Sequence, residues 1–121
     1  MTTTRILILY DHEIFGRGVY SLVKTRSDLR VIAVEPFSED TVTRAKDFRP
    51  NTVILSESTN QLPSFLPDLL EAIPGVRVVR LTLGDNIIRV YDCHQVIAEG
   101  TEDLLAVLDS AHAPSLTGPT K

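Results

Sequence analysis

Tryptophan is absent from this chain, cysteine occurs once, and lysine occurs only at Lys24, Lys46 and Lys121. A single Cys93 cannot close an internal disulfide, so a reducing, cytoplasmic setting is expected. The nine arginines are scattered, no basic run occurs, and the net charge is -4. Nucleic-acid backbones demand clustered cations, so no nucleic-acid partner is expected. The first apolar run stops at Tyr10, too short for a signal peptide or a membrane span, and no membrane association is expected. Aromatic residues make up 6% of the chain against 43% hydrophobic, so the core must be aliphatic. At 121 residues the chain has the length of one domain.

The apolar residues fall into alternating strand and helix patterns. Arg5 to Tyr10 reads as a strand covered on both faces. Asp11 is expected to cap a helix over about His12 to Arg26, with Phe15, Val19, Leu22 and Val23 on its inner face. Arg30 to Val34 reads as a second strand. Ser38 is expected to cap a second helix with Thr41, Ala45 and Phe48 inward, closed by Pro50. Thr52 to Leu55 is a third strand ending at Ser56, followed by a polar loop, Glu57-Ser-Thr-Asn60. A third helix covers about Pro63 to Ile73, with Leu66, Leu69, Leu70 and Ile73 inward and Pro67 delaying or kinking it. Val76 to Leu83 is the fourth strand. This alternation predicts an α/β fold with a parallel sheet flanked by helices.

After Leu83 only Gly84-Asp-Asn86 precede the next apolar run, too few residues for a helix. Ile87 to Tyr91 and Gln95 to Ala98 read as two short antiparallel strands. A last helix starts at Gly100-Thr101, with Leu104, Val107, Leu108 and Ala111 inward. Residues 1–112 are thus expected to form the domain, and 113–121 a flexible tail or the start of a linker.

Residues 5 to about 83 resemble the receiver domain of response regulators, on the strength of Asp11-His-Glu-Ile-Phe-Gly-Arg-Gly18 and the Arg49-Pro50 turn into the third strand. The resemblance implies a flavodoxin-like strand order 2-1-3-4-5, with chemistry at the C-terminal strand ends. It also implies a phosphoryl-transfer site of five parts. Two acids after the first strand hold magnesium, an aspartate ending the third strand takes the phosphoryl group, and a hydroxyl and a lysine contact its oxygens. In this sequence the acid pair is Tyr10-Asp11, Ser56 stands at the acceptor position, Thr82 matches the hydroxyl, and no lysine lies between Lys46 and Lys121. A serine hydroxyl forms no labile acyl phosphate, and one carboxylate is a poor magnesium site. The resemblance therefore implies a degenerate pseudo-receiver, with Asp11, Ser56 and Thr82 as the remnant pocket and no metal or other cofactor. Where a receiver has its fourth helix, this chain has the predicted hairpin.

Three functions compete. The leading one is a phosphorylation-independent regulatory domain of two-component signalling that contacts a protein partner (a regulator or an output domain) and pairs with a second copy of itself. The hairpin gives the sheet a new edge, on which Ile88, Val90, Tyr91 and Val96 are the candidate interaction residues and only Arg89 and Asp92 blunt it. The second is a small-ligand sensor using the remnant pocket. The third is a hydrolase in which His12 activates Ser56, with Glu13 or Glu57 as orienter. Ser56 lacks the Gly-x-Ser-x-Gly elbow, so the expectation is no enzyme. Cys93 with His94 makes only half a metal site. Gly16 and Gly18 fall within a helix and serve close packing rather than dinucleotide binding. Arg77, Arg80 and Arg89 on the late strands are expected to be solvated and paired with nearby acids.

Overall fold

A computed structural model of the protein describes residues 3–84, 87–92 and 100–112. Five strands, β1 (Thr4–Tyr10), β2 (Leu29–Pro36), β3 (Thr52–Glu57), β4 (Arg77–Thr82) and β5 (Ile88–Asp92), form one sheet in the order β2-β1-β3-β4-β5. The first four are mutually parallel and β5 is antiparallel to β4. Helices α1 (Glu13–Val23), α2 (Thr41–Phe48), α3 (Leu66–Ala72) and α4 (Thr101–His112) complete the α/β, receiver-like fold.

Strand alternation divides the core in two. Leu7, Leu9, Val53, Leu55 and Val78 face α2 and α3, where Ala45, Leu66, Leu69 and Ile73 meet them. Ile6, Ile8 and Ile54 face the other way and pack with Val19 of α1. Both faces are apolar because β1 and β3 lie centrally between helical layers. Arg5, at the start of β1, also closes α2. Its guanidinium donates to the Phe48 carbonyl at 2.9 Å and the Arg49 carbonyl at 3.2 Å, two acceptors that the helix end leaves without intrahelical partners. Arg49 takes the left-handed conformation there (φ 54°), and Pro50 prevents further helix.

Several expectations shift. Asp11 does not cap α1: His12 occupies the N-cap, without a side-chain cap bond. Asp40, not Ser38, is the N-cap residue of α2, while the Ser38 hydroxyl accepts from the Asp40 N–H at 3.1 Å. Leu22 shares the face of Phe15 and Val19 but is 73% exposed, in a hollow that the three line together with Leu81 and Ile88. Pro67 lies in the first turn of α3, which starts at Leu66, where a missing N–H costs nothing. β5, the first strand of the expected hairpin, runs antiparallel to β4, a pairing that the sequence did not predict. The Gln95–Ala98 segment expected as the hairpin's second strand lies outside the described residues, as do Cys93, His94, Val96 and the 113–121 tail. In α4, Leu104 and Leu108 are more than half exposed and Val107 is 38% exposed, contrary to the inward face expected of them. Ala111 is outside the residues whose burial is described.

Candidate functional site

The C-terminal ends of β1, β3 and β4 converge at one rim of the sheet, as parallel register requires. Tyr10 closes β1 and is paired with Ser56 of β3. The Tyr10 ring lies against Gly16 of α1, so close that a methyl group at residue 16 would sit 2.7 Å from the ring carbons. Gly16 is buried, and its missing side chain is the space the Tyr10 ring fills.

Ser56 is fully buried, and its Oγ has no hydrogen-bond partner among the described residues. Thr82 is 7% exposed and its Oγ1 is likewise without a partner. Ser56 shares the parity of Ile54 on the α1 side, whereas Thr82 is paired with Glu57 and shares the parity of Val78 on the opposite side. The two hydroxyls therefore lie on opposite faces of the sheet.

Asp11 follows β1 and is exposed. Its carboxylate accepts the Ser58 N–H on both oxygens, at 2.9 and 2.8 Å, and the Ser58 hydroxyl at 2.8 Å. The residue expected to cap a helix instead fastens the loop after β3 to the end of β1. Asp11 borders a cleft of about 330 Å³, together with Phe37, Glu57, Gln61, Pro63 and Phe65. Neither Ser56 nor Thr82 lines it.

The polar centre of this rim is a pair that sequence reasoning placed elsewhere. Glu57 was expected in a loop and Arg80 on a solvated face; both are buried strand residues. Arg80 donates Nε to Glu57 Oε2 and Nη2 to Glu57 Oε1, each at 2.8 Å. A further Nη1 bond reaches the Tyr91 hydroxyl of β5 at 3.1 Å. The Glu57 hydrogen bonds raise the Arg80 pKa above its ordinary value; desolvation opposes this and the Tyr91 bond adds to it. Arg77 behaves as expected of the late-strand arginines: it forms an exposed ion pair with Asp92, Nε to Oδ1 at 2.9 Å. Strand alternation was the available signal for Glu57 and Arg80, since each falls two residues past a core position, Leu55 and Val78 respectively.

On β5, Ile88 and Val90 are 64% and 53% exposed, and their register with Leu81 and Val79 turns them to the α1 side. Tyr91 points the other way, half-buried against the α2–α3 core. The predicted interaction residues Ile88, Val90 and Tyr91 thus divide between two faces.

Chemically, the rim offers a hydroxyl sealed from solvent, a carboxylate engaged by Ser58, and an ion pair closed on itself. Among the described residues, no group of three or more His, Cys, Asp or Glu is placed to hold a metal, and no helix is long and apolar enough to cross a membrane.

No protein-family model matches the chain. The chain is similar to the response regulator protein VraR of Staphylococcus epidermidis, in two strains, with 20% identity over 109 residues. The aligned part is 88% of this chain and 51% of the relative, so the chain spans about half the length of the curated relatives it matches. The likeness agrees with the strand order and supports the receiver-like resemblance.

Proposed function

We propose that this chain is a non-catalytic regulatory module of the response-regulator kind, cytoplasmic, that acts by protein–protein contact and accepts no phosphoryl group. The observation that carries the reading is the Ser56 position. A receiver acceptor must be a carboxylate open to a phosphodonor, and here the matching side chain is a hydroxyl with no exposed surface. Tyr10 supports it, because its ring occupies the place of the first acid and is packed onto Gly16. The sequence has no lysine between Lys46 and Lys121 to neutralise a transferred phosphoryl group. A buried serine also offers a hydrolase no attacking oxygen, and no Ser56–His12 hydrogen bond occurs among the described residues.

What remains is a surface for binding. The described face of α1 and β5 is rich in exposed Ile, Leu and Val, which is the composition of a contact surface rather than of a solvated one. The partner class is a protein, either a regulator or an output domain, together with a second copy of the chain.

The test is incubation with acetyl phosphate and magnesium, read by intact mass. An unchanged mass is expected. A stable phosphorylated species overturns the reading.

A further inference from the structure

Two hollows meet on the α2–α3 side of the sheet, the face away from α1. The cleft of about 330 Å³ that Asp11 borders shares Phe37, Ser64 and Phe65 with a hollow of about 690 Å³ bordered by the starts of α2 and α3. Together they form one groove from Asp11 to Asp68. Its apolar surface comes from Phe37, Val42, Leu62, Pro63 and Phe65. Phe37 and Phe65 are half-buried and meet edge to face, with ring centroids 5.1 Å apart. Both also pack against the core. The Phe37 N–H donates to the Tyr10 carbonyl at 2.8 Å, and Asp11 holds Ser58, so the walls are fixed before anything binds.

Carboxylates stand at both ends of this groove, Asp11 at one and Glu39 and Asp68 at the other, and all three residues are exposed. Asp11 is bonded to the uncharged N–H and hydroxyl of Ser58. Neither Glu39 nor Asp68 has a hydrogen-bond or ion-pair partner among the described residues. No lysine or arginine lines either hollow. Glu57 also borders the groove, but Arg80 already answers its charge. The groove therefore combines two aromatic rings with three carboxylates that lack a counter-charge. Arginine fits that combination better than any other side chain. Its guanidinium is planar and weakly hydrated, stacks on aromatic rings, and meets a carboxylate through two N–H groups.

We propose that this groove seats an arginine-bearing segment of a partner protein, with the arginine stems on Phe37 and Phe65 and the guanidinium heads on Asp11, Glu39 and Asp68. An extended segment turns alternate side chains to one side, so two arginines separated by one residue enter the groove together. The inference rests on the protein-contact reading above and gives that partner a chemistry and a place, on the face of the sheet opposite α1.

The experiment titrates the isotope-labelled full chain with a capped Gly-Arg-Gly-Arg-Gly peptide and reads backbone amide shifts by NMR. Shifts concentrated on residues 37–42 and 61–68, and lost when neutral citrulline replaces arginine in the peptide, support the proposal. Glu39→Gln and Asp68→Asn lie at exposed positions and open no core cavity. Each is expected to weaken binding by about 2–5-fold, and the double variant by about tenfold. Glu71→Gln makes the same charge change at an exposed α3 residue that lines neither hollow, and should leave affinity within about twofold of the parent. An equal loss in Glu71→Gln would show attraction to net charge alone and overturn the proposal. Magnesium chloride alone moving the same amides would assign the carboxylates to a metal cation and also overturn it. An absence of shifts at millimolar peptide, or shifts confined to α1 and β5, overturns the groove and leaves the protein-contact reading standing. That reading fails separately, on a phosphorylated mass after acetyl phosphate.

Discussion

Arg80 of β4 and Glu57 of β3 form a two-point ion pair across adjacent parallel strands, with their side chains only 4% and 2% exposed. Parallel planar groups satisfy both carboxylate oxygens at once, the geometry in which arginine is strongest. The pair stands next to the cleft that Asp11 borders and reaches β5 through Tyr91. It converts the polar rim of the sheet into a fixed link between three strands.

Removing one partner is expected to cost far more than removing both. Glu57→Gln leaves a buried guanidinium without its counter-charge and should destabilise the fold by about 3–5 kcal/mol. The double variant Glu57→Leu, Arg80→Met replaces two charges by apolar groups of similar bulk and should fall within about 1–2 kcal/mol of the parent. Urea unfolding of the three proteins checks this. Equal losses in the single and double variants would show that the pair is a net source of stability.

The pH dependence follows from the raised Arg80 pKa. A cation whose pKa is higher in the folded state contributes stability that is complete below the unfolded value and is lost as pH rises through the folded one. For arginine that loss lies beyond the working alkaline range, so the pair should contribute equally from about pH 7 to pH 10. Arg80→Lys substitutes a cation of ordinary pKa about 10.4, and should be less stable by about 2 kcal/mol at neutral pH through loss of the two-point geometry. Its deficit should widen only as pH rises past about 10.4, the unfolded lysine value. A deficit independent of pH would mean that the lysine does not occupy the guanidinium's place.

The sheet was legible because its strands are short apolar runs separated by Gly, Pro and polar turns, and the order 2-1-3-4-5 followed from the receiver resemblance. The inner faces of α2 and α3 were legible for the same reason: Ala45, Leu66 and Leu69 each occupy a helical period against a covered face. The buried pair was not, because charge suggests solvent; only strand parity opposes that, and the reading of Glu57 as loop ended β3 two residues early. Asp11 was misassigned because a helix cap and a loop clamp require the same residue at the same place. Its true partner, Ser58, is 47 residues away in sequence. Leu104 and Leu108 show the other limit: a periodic apolar stripe marks one face of a helix, yet both residues are more than half exposed in α4.

Gly16 should resist substitution in spite of its helical setting. Glycine to alanine inside a helix ordinarily gains up to about 1 kcal/mol. At residue 16 the added methyl would lie 2.7–2.8 Å from the Cβ, Cγ and Cδ2 of Tyr10, atoms held close to the backbone of β1. Gly16→Ala is therefore expected to destabilise by about 1–3 kcal/mol through overpacking. Gly18, with no atom within 4 Å of an added methyl, provides the control, and Gly18→Ala should be neutral to stabilising. Thermal unfolding of both variants by circular dichroism reads the difference in sign. A stabilised Gly16→Ala would remove the argument that the Tyr10 ring fills the vacated acid position.

The two buried hydroxyls make the last prediction. Ser56 Oγ and Thr82 Oγ1 are desolvated without a hydrogen-bond partner among the described residues, a condition that costs about 1–3 kcal/mol for each group. Replacement by a side chain of similar shape without the hydroxyl should recover part of that cost. Ser56→Ala and Thr82→Val are thus expected to raise stability by up to about 1 kcal/mol each. Their side chains lie on opposite sheet faces, so the two effects should add to within about 0.5 kcal/mol. The phosphodonor experiment on the same variants should match the parent. A fall in stability on losing either hydroxyl would mean that the group is paired in solution, and for Ser56 it would reopen a polar role at the end of β3.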